Sequence, residues 1–499
     1  MHIFKFRTIA FVTIIILSIV LTGCMVGPNF RSPPSPKVKR YTESPLPAKT
    51  AHTVGAGGQA QAFLKGKDIP VLWWELFHSP AINQLIRTGL KNSPNLASAS
   101  AALHQAQENV RVQIGNTLLP AFDAITYAER QRFSTVSFGD LGSTTPVATT
   151  FNLFSASLNV SYTLDVFGGA RRGVESLIAQ VDYQQFQLIA AYLTLTSNIV
   201  STAVNVASYQ AQIDATKELI QAQQGLLNIF MKQYHLGGVS NENVLTQRTL
   251  VEQSRATLPT LQKNLAQSKH ALSALVGKFP NGPLPTINLD SLHLPTKLPV
   301  SLPSRLVRQR PDVRASEALL HSACAQVGVA TANLFPKITL TGSYGWTGTS
   351  LSNLFSPINN VWNIMGQLTQ PVFHGGALTA QRRAAVAAYQ QAAAQYRQVV
   401  LQAFQNVADS LRAIETDARA LRAQILAEAA ARGSLNLIQN QYRLGGVSYI
   451  NLLNAQQQYQ QTRINRIQAQ AARYSDTVAL FQSLGGGWWN RGWCVKECV

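Results

Sequence analysis

Charge is scarce in this chain. Only 13% of its 499 residues are Asp, Glu, Lys or Arg, about half the usual share. Ala, Gln, Ser and Asn fill the gap, which suits helices packed closely on one another. Cysteine is scarcer still, with Cys24, Cys324, Cys494 and Cys498. Their spacing excludes a disulfide framework. Cys324 lies in a helical pattern and reads as a small buried residue. Cys494 and Cys498 close a Trp-rich tail, where a late disulfide stays open as an option. No G-x-x-x-x-G-K-[ST] loop and no H-E-x-x-H motif occurs, and the nine histidines do not cluster. His374, before Gly375-Gly376, reads as a strand-end polar residue. No Ser-His-Asp or paired-carboxylate site can be argued. The expectation is a chain with no catalytic residue, no metal and no cofactor beyond a covalent lipid. Proline is missing from Ala170–His235 and again from Ala377–Arg443. Nothing interrupts a helix over either stretch.

The balance of what charge there is comes to +19. Nucleic acid is the first partner such a balance suggests. The basic residues are spread along the chain, with no basic helix and no aromatic-basic strand, so nucleic acid is excluded as the expected partner. A solvated or channel-facing surface remains, as does a basic lumen that attracts anions. The apolar share of 46% is that of a chain able to bury surface.

Lys5 and Arg7 precede an uncharged run from Ile9 to Leu21. A helix of that length reaches about 20 Å, short of the ~30 Å hydrocarbon core. With small residues at its end, the run reads as a signal peptide over 1–23. Leu21-Thr22-Gly23-Cys24 resembles the bacterial lipobox, which makes Cys24 the lipidated mature N-terminus. Met25 follows, not Asp. By resemblance to Gram-negative lipoproteins, that implies the outer membrane. Residues 24–70 carry Pro28, Pro33, Pro34, Pro36, Pro45 and Pro47 and read as an extended tether.

The rest of the chain repeats itself. Tyr234-His-Leu-Gly-Gly-Val-Ser240 recurs as Tyr442-Arg-Leu-Gly-Gly-Val-Ser448, at an offset of 208 residues. Val166-Phe167-Gly168-Gly169 is answered by Val372-Phe373-His374-Gly375-Gly376. Leu118-Leu119-Pro120 is answered by Leu334-Phe335-Pro336, and Ser93-Pro94-Asn95 by Arg310-Pro311-Asp312. Repeat 1 therefore covers 71–285 and repeat 2 covers 286–485, with a Trp/Cys tail over 486–499.

Each repeat reads alike. A first helix is expected over Ile82–Thr117 and over Ser304–Asn333, with Pro311 at an early helical position. The period then changes from helical to alternating. Phe154, Ala156, Leu158, Val160, Tyr162, Leu164 and Val166 alternate with polar residues, as Ile338, Leu340, Tyr344 and Trp346 do. Weaker strands are expected at 121–134 and 360–372, with loops near 136–150 and 350–358. Helices of about 66 residues then run to His235 and Arg443, reaching about 100 Å each. Each ends at Leu-Gly-Gly and turns back into a helix of roughly 35 residues, whose last copy carries a coiled-coil seam through Ile464, Ile467, Ala471, Tyr474, Val478 and Phe481.

An amphipathic strand in lipid must belong to a closed barrel, and bacterial barrels need at least eight strands. Four strands per chain cannot close one. Several copies must share it, and pattern alone does not choose between two and three.

Cys24-Met-Val-Gly-Pro-Asn-Phe30, Trp73-Trp74-Glu-Leu-Phe77, Leu302-Pro-Ser304, and Arg308-Gln-Arg-Pro-Asp-Val-Arg314 with Glu317, Gly328 and Phe335-Pro336 carry a family resemblance over nearly the whole mature chain. The chain resembles the outer membrane factor family, the TolC-type channels, and within it the lipidated NodT/OprM-type branch. The resemblance implies a mainly α fold with a membrane β-barrel. Three copies would form a twelve-stranded barrel continued by a periplasmic helical tunnel. It also implies a homotrimer lipid-anchored in the Gram-negative outer membrane, a periplasmic adaptor, and an inner-membrane pump of the resistance–nodulation–division type. The implied role is a passive exit duct for small molecules such as drugs. An outer-membrane duct for type I protein secretion is the near alternative, and a structural coiled-coil surface lipoprotein the distant one.

Carried over by position, Leu236-Gly237-Gly238 and Leu444-Gly445-Gly446 meet the adaptor. Ile450, Asn451, Asn454 and Gln457 match the periplasmic gate. Relatives often carry Asp in this gate, whereas this sequence has Asn, which implies a closure less sensitive to salt and pH. The second repeat, with Tyr449-Ile-Asn-Leu-Leu-Asn454 where the first has Asn241-Glu-Asn-Val-Leu-Thr246, is the one expected to hold the constriction.

Overall fold

The computed structural model describes residues 25–134 and 148–490; Cys24, Cys494 and Cys498 lie outside them. The chain divides into two compact units. Unit 1 draws on Met1–Ser32, Leu103–Gln184 and Ser316–Tyr396; unit 2 draws on Pro33–Ala102, Gln185–Ala315 and Arg397–Val499.

Unit 1 contains one antiparallel sheet of β2 (Ala121–Ser134), β3 (Ala148–Leu164), β5 (Lys337–Gly348) and β6 (Asn360–Thr369), in the order β2-β3-β5-β6. Register decides which side chains share a face. Phe122 lies opposite Val160, Leu158 opposite Tyr344, and Tyr344 opposite Trp362. Following even positions across all four strands joins Phe122, Leu158, Tyr162, Leu340, Tyr344, Trp362, Ile364 and Leu368 into one apolar face. The other face carries Asp123, Ser157, Asn159, Thr163, Thr339, Thr341, Ser343, Asn363 and Gln367. Many of the apolar residues, Phe122, Leu158, Tyr344, Trp362, Ile364 and Leu368 among them, are exposed in the single chain. β6 stops three residues before the expected end, so Val372 lies beyond the strand.

Two long helices follow the hairpins. In this chain-order numbering they are α3 (Gly169–His235) and α7 (Ala377–Arg443), each 67 residues long and so about 100 Å. α3 contains a window apolar enough to cross a membrane, but over half of that window is buried against the rest of the chain. At three times the length of a span, its greasy residues serve packing. The return helices are α4 (Asn241–Leu275) and α8 (Tyr449–Ser483).

The first helix of each repeat is broken, against expectation. Repeat 1 has α1 (Pro80–Asn92) and α2 (Pro94–Leu118); repeat 2 has α5 (Pro303–Gln309) and α6 (Pro311–Ala332). Ser93 and Arg310, each preceding a proline, adopt extended backbone at ψ 117° and ψ 125°. Pro Cδ excludes the helical region from the residue before it, so a new helix starts at the proline.

Residues 24–70 are a tether only in part. β1 (Ala62–Lys65) pairs in parallel with β4 (Lys297–Val300), near the start of repeat 2. Gln61, Phe63 and Ile69 are buried. The guanidinium of Arg473, itself buried, donates to the carbonyls of Gly57 and Gln59 at 2.6 Å each. The tail also packs where it begins: Trp488 Nε1 donates to Gln309 O at 2.6 Å, and Asn490 Nδ2 to Ile69 O at 2.8 Å.

Arg310 is the hub of unit 2. Its Nε and Nη2 form a two-point pair with Asp312 at 3.0 and 2.6 Å. Nη1 donates to Ala403 O at 3.3 Å and to Ser483 O at 3.0 Å. One buried guanidinium thus ties the start of α6 to α7 and to the end of α8. Trp73, Trp74 and Phe77 pack nearby on the same core, with Trp73 against Phe481 at 5.4 Å and Phe77 against Tyr474 at 6.3 Å.

Candidate functional site

The two Leu-Gly-Gly turns close their helices identically. Gly238 N–H donates to Gln233 O at 2.8 Å and Gly237 N–H to Tyr234 O at 3.0 Å. Gly446 and Gly445 repeat this to Gln441 O and Tyr442 O at 2.9 and 3.0 Å. This is the two-bond left-handed cap. Gly237 and Gly445 sit at φ +74° and +75° with open space where a Cβ would point. Backbone angle, not crowding, requires glycine there. Capping uses only main-chain groups, yet Leu236 and Leu444 are 86% and 87% exposed. Two equivalent leucines held out on rigid turns have no role in the fold of this chain.

The residues after the second turn split by face. Tyr449, Leu452, Ala455 and Gln456 are buried; Ile450, Asn451, Asn454 and Gln457 are exposed. The four positions expected at the gate therefore point away from their own chain's packing.

The buried face carries residues that sequence reasoning missed. Tyr449 OH donates to Gln247 Oε1, and Gln247 Nε2 donates to Gln223 O at 2.9 Å. The Tyr449 ring meets Phe230 edge-on at 4.8 Å, in a cluster with Leu227, Val244 and Val251. Burial pushes the Tyr449 phenol up to about 12, with Tyr442 adding to the shift. It thus remains a donor throughout the physiological range. This latch ties the start of α8, in repeat 2, to α3 and α4 of repeat 1. At the matching place in repeat 1 stands an exposed Asn241. The signal was the Tyr449/Asn241 difference between the copies. Gln223 is buried beside the latch with neither amide atom paired, and Gln456 Oε1 is likewise unpaired. Each such group costs about 1–3 kcal/mol, so this interface is the less firmly held. Farther along α8, Arg463 pairs with Glu218 at 2.7 Å and Arg466 with Glu428 at 2.5 Å.

The residues after Cys24 occupy a built socket in unit 1. Arg172, 1% exposed, donates to Val26 O at 3.3 Å and Asn29 Oδ1 at 2.6 Å and pairs with Glu175 at 2.7 Å. Phe30 stacks on His321 at 4.4 Å. A Cβ on Gly27, at φ +90°, would lie 2.5 Å from Gly328 Cα. A Cβ on Gly328 would instead meet the Arg172 side chain, 2.8 Å from its Cγ. Val26 N–H donates to Phe167 O at 3.1 Å, just past the end of β3.

Residues 85–278 and 302–486 match the family described as outer membrane efflux protein. The chain belongs to that family. It is 28% identical over 496 residues to the antibiotic efflux pump outer membrane protein ArpC of Pseudomonas putida, covering 97% of each chain. It is 29% identical over 482 residues to the cation efflux system protein CusC of Escherichia coli, covering 95% of this chain and 97% of the other. Among solved structures it is similar to the outer-membrane channel OprN, with TM-score 0.83 and 25% identity, over 93% of this chain and 100% of that one. The efflux channel's fold is thus mainly helical, joining strands of a membrane barrel to a helical tunnel. It is an outer-membrane component of an efflux pump, located in the Gram-negative outer membrane and extending into the periplasm. Its family is one of channels, not enzymes.

Proposed function

We propose that three copies of this chain close one twelve-stranded barrel and act as the passive exit duct of a tripartite pump for small molecules such as drugs. The observation that carries this reading is the sheet itself: one apolar, exposed face and two free edges, β2 and β6. An open edge in lipid leaves its backbone groups without partners. α2 supports the same reading, since Leu103 is its only buried residue. A helix with a single fully buried residue within its own chain leaves surface for neighbours.

The duplication supplies the pairing. Inside the chain β3 meets β5, and Phe167 stacks on Phe335 at 4.7 Å. Their repeat counterparts, Phe373 and Leu119, are both exposed. Transferring the β3–β5 register through these landmarks pairs β6 with β2 of the next copy. It sets Gln367 opposite Ile125 of the partner subunit and Leu368 opposite Ala124 of the partner subunit. The apolar face then continues across the seam, from Leu368 to the partner's Ala124 and from Ile364 to the partner's Ala128. Channel carrying both Gln367→Cys and Ile125→Cys should run as a covalent trimer on a non-reducing gel. Monomers alone, or dimers alone, would overturn the arrangement.

In this reading Leu236 and Leu444 dock a periplasmic adaptor, and an inner-membrane pump of the resistance–nodulation–division type supplies the energy. Cys24 carries the lipid; it lies two residues before Val26, whose N–H donates to Phe167 O beyond the end of β3. Deleting the gene should raise drug susceptibility. Unchanged susceptibility with loss of a secreted protein would favour the secretion duct. Ile450, Asn451, Asn454 and Gln457 line the periplasmic constriction, held by the Tyr449 latch behind them. Asn454→Ala should raise the closed-state conductance of purified trimers in a bilayer. An unchanged conductance removes Asn454 from the gate.

A further inference from the structure

The sheet carries few charges, and their placement is uneven. Among its described residues, only Asp123, Glu129, Arg130, Arg132 and Lys337 are charged. Register puts Asp123, Glu129 and Lys337 on the polar face. Arg130 and Arg132, opposite Asn152 and Thr150, fall on the apolar face and are exposed. They are the only charges on that face among the described residues.

Their height matters. Phe122 begins the apolar face at the helix end of β2. Arg130 and Arg132 come eight and ten residues later, about 27 and 34 Å along the strand. With strands tilted ~40°, that is about 20–26 Å of membrane depth, the height of a barrel's apolar band. The two arginines thus lie at its far boundary, away from the helices. Aromatics mark the same level on the neighbouring strands: Phe154 opposite Ala128, and Tyr344 packed edge-on against Trp346 at 5.5 Å. Aromatic girdles mark the membrane–water interface. The transferred register also brings Trp362 opposite Arg130 of the partner subunit.

An arginine facing lipid costs about 2–4 kcal/mol at mid-membrane and about 0–1 near the interface. The boundary is therefore where two can be tolerated, but tolerance does not explain their choice. No carboxylate shares their face among the described residues. The guanidinium fork suits a phosphate better than ammonium does.

We infer that Arg130 and Arg132 bind the phosphate groups of the phosphorylated glycolipid in the outer leaflet, pinning that lipid at the subunit seam. This rests on the barrel reading above. The test is native mass spectrometry of full-length trimers incubated with bisphosphorylated lipid A, or with lipid A stripped of its phosphates. Wild type should retain the phosphorylated lipid. R130Q/R132Q should retain at least about tenfold less, and R130K/R132K an intermediate amount, because lysine keeps the charge but loses the fork. Millimolar inorganic phosphate should not displace the lipid. Equal retention by R130Q/R132Q, equal retention of the dephosphorylated lipid, or displacement by inorganic phosphate would each overturn the inference. Conductance and trimer content, read on the same preparations, should stay at wild-type values in both variants. If the wild-type chain forms no membrane channel, the barrel reading falls and this inference with it.

Discussion

Arg310→Ala should destabilise the channel by about 3–5 kcal/mol per chain, because it breaks a buried pair and strands its partners. Two carbonyls lose a donor at once: Ala403 O, which keeps its helical bond, and Ser483 O at the end of α8, which has none. Asp312, which also accepts from Val313 N–H at 2.9 Å, keeps only that bond. Arg310→Lys should rescue little, since an ammonium cannot reproduce four fixed N–H directions. Asp312→Asn should cost about 1 kcal/mol, as the carboxylate is 44% exposed and water replaces part of what is lost. The measurement is the temperature at which detergent-purified protein loses its helical circular dichroism signal. An Arg310→Ala protein that melts with wild type would remove the hub role.

The largest functional effect should come from the turns. Leu236→Asp combined with Leu444→Asp should return drug susceptibility to that of a deletion strain, while purified trimers conduct as wild type does. The reason is separation of roles. The caps use only main-chain bonds, so the side chains can change without loosening the turn. An aspartate placed against an apolar adaptor surface loses its water without gaining a partner. A trimer would carry six such faults. Gly237→Ala acts differently: it forces a Cβ into the left-handed region at about 1–2 kcal/mol and weakens the turn itself. A double-aspartate variant that exports drugs normally would show that docking lies elsewhere.

Much of this architecture could be read from residue order. Alternation in Phe154–Leu164 and Ile338–Trp346 places the strands and their greasy face, because side-chain direction in a strand depends on position alone. The long helices follow from two proline-free stretches ending in Gly237 and Gly445. The paired landmarks reveal the duplication. The breaks at Ser93 and Arg310 were visible as X-Pro steps, but helical periodicity runs across them and hides them.

Other features had no local signature. β1 is four residues long and pairs with β4 more than two hundred residues away. Nothing in Ala62–Lys65 distinguishes it from the proline-rich chain before it. Tyr449, Gln247 and Gln223 belong to three helices and meet only when those helices pack. Arg172 and Arg473 look like any of the chain's basic residues until burial leaves each with one set of acceptors, and the motif around Arg310 does not say which carbonyls it will meet. By itself the sequence determined the periods: where the chain extends, where it coils, where it turns, and that it does so twice. Tertiary structure alone decided which strand edges stay open, which arginines are buried, and which residue latches one repeat to the other. The reason is physical. Periodicity and turn angles are set by neighbours along the chain, whereas buried polar groups take whatever partner the fold brings within reach.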